Sequence, residues 1–190
     1  TAILNKNFKL NEKVTTTYIK GDLEGKLMGL NFTGNVGGQL VSTNQTSTGY
    51  SIDGAACAGE KNQPSCTFTT VTQNYKYNDF NPSLNLNFDA GNDQVVRFGA
   101  ARVLSRANMI DMAGNVDLTY NRTDATKPMG WNGSGGNPKL EPFRARSLDL
   151  SYEKYFGKKG YVSVAGFYKA LDTYIIRSSQ VVDFRNYITN

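Results

Sequence analysis

The sequence predicts an all-β fold: an antiparallel transmembrane β-barrel, present as an incomplete part of about six strands with short periplasmic turns and long extracellular loops. Three observations predict it. Segments of roughly ten residues alternate apolar and polar side chains, the period of a strand with lipid on one face and water on the other. Short turns near residues 24, 90 and 158 alternate with long polar connections. No apolar run is long enough for a transmembrane helix. A soluble antiparallel sheet with one dry face shows the same alternation, and strand length together with loop asymmetry favours the membrane.

In chain order, Thr1 to Glu12 is polar and carries no clear pattern. Lys13 to Leu23 is rich in β-branched residues and reads as a strand whose facing is ambiguous, because Tyr18 and Ile19 fall on opposite sides. Glu24-Gly25-Lys26 reads as a turn. Leu30 to Ser42 is the cleanest strand: Leu30, Phe32, Val36 and Leu40 share one face, and Asn31, Thr33, Asn35 and Gln39 the other. A strand of this length can cross a tilted bilayer, which needs roughly 9–11 residues. Thr43 to Ser65 reads as a long polar connection.

A strand emerges by Thr70 and runs to Phe88, with Leu84, Leu86 and Phe88 alternating against Asn85 and Asn87. Pro82 predicts a local irregularity, since it cannot donate to a ladder. After the turn at Asp89–Asp93, Val96, Phe98 and Ala100 alternate with Arg97 and Gly99. Arg102 falls on the apolar side, at headgroup level or after a bulge. Ser105 to Phe143 reads as a second long loop. Leu148, Leu150 and Tyr152 then alternate with Ser147, Asp149 and Glu153. Gly157-Lys158-Lys159-Gly160 turns the chain, which returns through Val162, Val164, Gly166 and Tyr168. Phe88, Tyr155, Phe156 and Tyr161 border the short turns, where an interfacial aromatic girdle belongs. Six strands leave two open edges in lipid, so residues 1–190 read as part of a single larger outer-membrane barrel domain.

Composition narrows the chemistry. The 190 residues include no histidine, which removes Ser-His and Cys-His catalysis and most zinc sites. The net charge of +5 reads as charges scattered over solvated loops, with no nucleic-acid partner. Cys57 and Cys66, the two cysteines, share one polar stretch at a spacing unlike redox or metal motifs; they predict a disulfide formed in an oxidising compartment, constraining the unfolded chain by roughly 3 kcal/mol or less. Asp149 and Glu153 share a strand face but lie about 13 Å apart by strand rise, too far for a glycosidase pair. No catalytic residue, metal site or cofactor is expected. The ligand candidates lie between Ala107 and Phe143: Tyr120 and Trp131 as aromatic faces, with Arg122 and Asn132 as polar contacts, a combination suited to a sugar ring.

The segment Gly136-Asn137-Pro138-Lys139-Leu140-Glu141-Pro142 resembles the Gly-Asn-Pro-x-Leu-x-Pro signature of TonB-dependent receptors, the active transporters of the Gram-negative outer membrane. Phe143 stands where that family often has Glu. Pro82–Phe88 and Arg97–Arg106 resemble two successive strands of the same receptors, nearest the carbohydrate-uptake branch of Caulobacter- and Xanthomonas-like bacteria. The resemblance covers about residues 13–176. It implies a plugged barrel of about 22 strands, with the plug and the TonB-contacting segment outside this chain. The implied function is TonB-coupled import of a bulky nutrient, an oligosaccharide ahead of a ferric siderophore. The implied partners are outer-membrane lipid, the TonB complex and a polar ligand, with a surface lipoprotein as a further candidate. A passive porin-like or scaffold barrel is the alternative.

Overall fold

A computed structural model describes residues 6–58, 65–121, 130–157 and 159–181; side chains are described within those ranges except between 51 and 68 and between 118 and 132. Among the described residues there are eight strands: β1 (Phe8–Leu27), β2 (Leu30–Ala58), β3 (Ser65–Gly91), β4 (Gln94–Ser105), β5 (Val116–Asn121), β6 (Gly130–Gly135), β7 (Phe143–Phe156) and β8 (Gly160–Thr173). A short 3-10 helix, Met109–Met112, precedes β5. Six strands form one antiparallel sheet in the order β1-β2-β3-β4-β7-β8, and β5 with β6 forms a separate hairpin. The sheet is not closed: β1 and β8 are its edges among the described residues. The fold is the predicted one, part of a barrel wall.

Register settles which side chains share a face. Phe32 lies opposite Phe88, Val36 opposite Leu84 and Leu40 opposite Phe80. Leu86 lies opposite Phe98, and Phe98 opposite Leu150. Tyr152 lies opposite Val164. Because directly paired residues point the same way, one face is apolar across all six strands. The other carries Thr33, Asn35, Asn85, Asn87, Arg97, Asp149 and Glu153. Tyr18, opposite Gln39, joins the polar face, and Ile19, opposite Gly38, joins the apolar one.

The burial pattern is inverted relative to a water-soluble protein. Ile19, Leu40, Phe80, Leu150 and Val164 are at least half exposed, whereas Gln45, Ser47, Thr43 and Asp79 are buried. Apolar side chains outward and polar ones inward is the arrangement of a strand wall whose outer solvent is hydrocarbon.

Four boundaries differ from the sequence reading. First, β1 continues through Glu24–Lys26 to Leu27, with Gly25 opposite Phe32. The reversal is at Met28-Gly29, whose φ values of 53° and 83° make the two-residue turn that matches strand twist. Second, Thr43–Ser65 is not a free connection. Strands β2 and β3 stay paired as far as Ala58 opposite Ser65, well past the ~9–11 residues that cross a bilayer. The ribbon above the membrane is threonine-rich and polar on both faces, and Thr46 Oγ1 donates to Asn74 Oδ1 (2.6 Å) while Thr48 and Thr72 hydroxyls pair at 3.0 Å. Third, Ser105–Phe143 contains the 3-10 helix and the β5–β6 hairpin. Fourth, β1 begins at Phe8. Pro82 stays in β3 in unbroken register with Gly38.

The aromatic border is also divided. Phe88 and Phe156 are on the apolar face, and Phe32 packs on Phe88 at 5.9 Å. Tyr155 and Tyr161, stacked at 6.0 Å, turn to the polar face instead, where Tyr155 donates to Glu153 Oε2 (2.7 Å).

The two-sidedness is testable at adjacent positions. Lys at Val36, on the apolar face, is expected to cost about 2–4 kcal/mol near the bilayer midplane. Lys at Asn35, on the polar face and accepting from Asn85 Nδ2 (3.0 Å), is expected to be tolerated. Folding yields of both variants into lipid bilayers decide it, and equal yields refute the assignment.

Register also sets Cys57 directly opposite Cys66. Paired residues in an antiparallel ladder lie about 4.5–5.5 Å apart at Cα, within disulfide range; the side chains themselves lie outside those described. The expected outcome is that both thiols resist alkylation until reduced, checked by mass spectrometry of the mature protein.

Candidate functional site

On the polar face, the segment after β4 folds back against the upper, extramembrane part of the wall. The sequence sets up this contact at both ends. Alternation along β2 places Thr43, Gln45 and Ser47 inward, and register places Tyr77 and Tyr75 beside Thr43 and Gln45. The facing surface is the 3-10 helix and the segment Gly136–Pro142.

Gly136 lies so close to the loop that a Cβ there would sit 2.6 Å from the Asp111 carbonyl oxygen and 2.7 Å from the Ala113 amide nitrogen, which only glycine avoids. The Asn137 N–H donates to the Asp111 carbonyl at 2.7 Å, fixing that approach. Asn137 then makes a turn of its own. Its Oδ1 accepts from the Lys139 N–H (3.0 Å) and its carbonyl from the Leu140 N–H (3.1 Å). The carbonyls of Pro138 and Leu140 face the wall, where Gln45 Nε2 donates to both, at 2.7 and 3.2 Å. Pro142 is fully buried, and its carbonyl accepts from Thr173 Oγ1 (2.8 Å), which in turn accepts from the Arg144 N–H (2.9 Å).

An ion cluster closes this contact. Arg144 donates to Asp79 Oδ1 (2.5 Å) and Oδ2 (3.3 Å) and to Glu141 Oε2 (2.5 Å), and its guanidinium lies 6.0 Å from the Tyr77 ring. Tyr75 donates to the other Glu141 oxygen. The Tyr75 hydroxyl, and then Arg144, hold the Glu141 carboxyl below the usual range, while the same hydrogen bond pushes the Tyr75 phenol up. Hydrogen bonding to Asp79, ahead of Glu141, raises the Arg144 guanidinium, so it is a fixed cation. Asp79 is 3% exposed, and its charge is paired by Arg144.

The cluster holds the base of the β5–β6 hairpin. A Cβ at Gly49 of β2 would lie 2.5 Å from the Asn115 nitrogen, so this connection rests on the wall immediately before β5. In the hairpin, Tyr120 lies directly opposite Trp131 and Thr119 opposite Asn132. Two ligand candidates separated in sequence are thus cross-strand neighbours on one hairpin face. Asn132 belongs to the other face. Arg122 lies outside the described residues, as do the side chains of Tyr120, Trp131 and Asn132.

Below this cap, a polar ladder crosses the inward face. Arg97 bridges Glu153 (2.9 and 3.2 Å) and Asn87 (3.0 Å). Asp149 accepts from Ser147 Oγ (2.9 Å). Each carboxylate is thus held by a structural partner. An open trough of about 750 Å³ borders Thr33, Asn87, Asp93, Arg97 and Tyr155.

Sequence reading missed Gln45, Tyr75, Asp79 and Arg144. The available signal was Asp79, the one charge among the inward-parity residues of upper β3 from Thr69 to Asp79.

An antiparallel wall with apolar side chains outward, short reversals at one end and a folded cap at the other defines an outer-membrane β-barrel protein. The family described as TonB dependent receptor-like, beta-barrel matches residues 7–190, and the chain belongs to it. No curated protein and no solved structure matches the chain. Membership places the protein in the cell outer membrane and, as a class, among transporters that bind a ligand and work with TonB.

The ion cluster has a measurable consequence. Arg144→Met leaves Asp79 buried without its cation, and is expected to cost about 3 kcal/mol. Arg97→Met, which breaks an exposed pair on the same face, is expected to cost much less. Hydrogen exchange is the check: protection should fall across 111–142 in the first variant only.

Proposed function

We propose that the chain supplies part of the wall and the outer cap of an active importer that captures a bulky polar nutrient, an oligosaccharide ahead of a ferric siderophore. The observation that carries this reading is the seating of the Gly136–Pro142 segment on the inward wall, by Gln45 to Pro138 and Leu140 and by Arg144 to Asp79 and Glu141. It fixes the base of a hairpin in which Tyr120 is paired with Trp131.

In this reading the aromatic pair stacks on a sugar ring and Arg122 supplies a polar contact, while Asn132, on the other hairpin face, contacts ligand only from that side. Entry into the lumen follows the inward face, where hydrogen-bonding side chains from Asn35 to Glu153 replace water around a polar solute. Release into the periplasm is driven by TonB, acting on a plug in the lumen; a surface lipoprotein is a candidate helper for capture. Cys57 and Cys66 brace the far end of the β2–β3 ribbon.

Trp131→Ala is expected to weaken binding of the true substrate by about 1 kcal/mol or more, with barrel assembly unchanged. The measurement is binding and uptake by whole cells across candidate oligosaccharides and iron chelates. Uptake should stop when the proton gradient is collapsed; persistence would leave a passive barrel in place of an active importer.

A further inference from the structure

Three polar atoms beneath the cap are orphaned. Glu12 Oε1, Gln45 Oε1 and Ser47 Oγ are shielded from solvent and find no hydrogen-bond partner among the described residues. Gln45 and Ser47 are 0% and 1% exposed, and the Glu12 side chain is 8% exposed. Buried polar atoms are almost always satisfied, so three together point to a bound group.

Register gathers them. Glu12 of β1 lies directly opposite Gln45 of β2, and Ser47 is the next inward position up the same strand. Diagonal neighbours of this kind are about 7–8 Å apart at Cα, so the three side chains can close on one small ligand. The cap supplies the roof: a Cβ at Gly114 would lie 3.0 Å from Ser47 Oγ and 3.5 Å from Pro138. The Gln45 amide cannot turn round to offer its N–H groups instead. Its Nε2 is committed to the carbonyls of Pro138 and Leu140, at 2.7 and 3.2 Å, so its oxygen points away from them.

The donor set selects the ligand. A carboxylate oxygen and an amide oxygen only accept, and a hydroxyl has lone pairs to offer. Charge is short by one. Arg106 pairs with Glu12 (3.3 Å), and Arg144 with Asp79 and Glu141 (2.5 Å each), so two guanidiniums face three carboxylates where the cap meets the wall. Among the described residues no three carboxylate, cysteine or histidine side chains gather around one point. One carboxylate with neutral oxygens suits a singly charged hard cation, whereas calcium takes about 6–8 oxygens and is held by several acids.

We propose that Glu12, Gln45 and Ser47 bind a monovalent alkali cation, sodium or potassium, that locks the cap to the wall. Glu12 gives one oxygen to the ion and keeps the other on Arg106. The ion ties β1 to β2 beneath Gly114 and braces the first part of the cap, as the Arg144 cluster braces the last. The site does not depend on which nutrient is carried.

The experiment uses the assembled outer-membrane protein in detergent, with hydrogen exchange across 106–116 and 133–142 as the readout. Buffers contain sodium, potassium or N-methylglucamine chloride at one ionic strength, which holds screening constant. With an alkali ion at about ten times its dissociation constant, exchange should be about tenfold slower than with the organic cation. Ser47→Ala, which touches neither ion pair, should abolish that difference, and Glu12→Gln should abolish it with lower protection throughout. Thr46→Ala, whose hydroxyl pairs with Asn74 on the exposed side of the ribbon, should respond as wild type. Equal exchange of the wild type in all three chlorides would overturn the proposal and leave the orphaned oxygens to trapped water. An ion effect that survives in both Ser47→Ala and Glu12→Gln, or protection gained with calcium chloride and neither alkali salt, would overturn it as well. Heat-modifiable gel mobility verifies that each variant is folded, and the wild-type comparison decides without them.

Discussion

A backbone amide in hydrocarbon has no water to turn to, and the rest of this structure follows from that constraint. Each strand that crosses the bilayer has to keep its ladder intact, so register cannot slip and every side chain is committed to one face. Pairing without a register shift across the apolar band of the six wall strands is the result. Once faces are committed, the distribution of chemistry is forced. Val36 and Leu150 can stand exposed because their solvent is lipid, and Arg97 and Glu153 can pair in the interior because it is wet. Bulges are confined to places outside the apolar band: beside the Asn92-Asp93 turn, at Arg144–Ala145 and in the upper ribbon after Ile52.

Above the membrane that constraint relaxes, and a different force organises the chain. Water is available on both faces, so β2 and β3 continue as a polar ribbon whose stability rests on backbone pairing and hydroxyl contacts. The cap folds onto the inward face of this ribbon. The contact buries Met112, Ala113 and Pro142 but is mainly polar, with Thr43, Gln45, Ser47 and Asp79 beneath it. Burial of so few apolar groups supplies little driving force. The Arg144 cluster is thus the component that sets where the cap sits: the guanidinium joins Asp79 of β3 to Glu141 of the cap, and either carboxylate without it would be left facing the other's charge.

What was legible in the sequence follows the same division. From Leu30 to Leu40 and from Leu84 to Phe88, lipid on one face makes alternation visible, and those strands are where the reading placed them. Beyond Val41 both faces meet water or polar protein, so Thr43-Asn44-Gln45-Thr46-Ser47-Thr48 carries no amphipathic signal and resembles a connection. Local turn chemistry points a few residues ahead of the true reversal for a related reason. Glu24-Gly25-Lys26 has turn chemistry, whereas Leu27 and Leu30 flanking Met28-Gly29 look like strand interior; pairing of Gly25 with Phe32 overrides local propensity. Tyr155 and Tyr161 look like lipid-border residues because they are aromatic and near a turn, yet their parity is that of Glu153. Periodicity is silent on partners distant in sequence, which is why Gln45, Asp79 and Arg144 were not brought together in advance. Tyr120 and Trp131 stand out in the sequence as aromatics in one long polar loop, and hairpin register places them opposite each other, a pairing that periodicity does not reveal.

The signature segment has a physical logic that does not depend on its being a signature. A peptide laid on a surface without joining a ladder must find partners for its own N–H groups. Pro138 and Pro142 have none to satisfy. The Asn137 N–H is taken by Asp111, and those of Lys139 and Leu140 are taken by Asn137 itself. The segment thus meets most of its donor requirement within the cap and presents carbonyls to the wall from Pro138, Leu140 and Pro142. Carbonyls with free lone pairs need only side-chain donors, and Gln45 and Thr173 supply them from two different strands. A glycine at 136 lets the backbone approach, an asparagine at 137 makes the turn, and the two prolines remove donors that would otherwise need partners. The wall therefore needs no free strand edge to hold the cap, and its edges stay available for the ladder that the membrane demands.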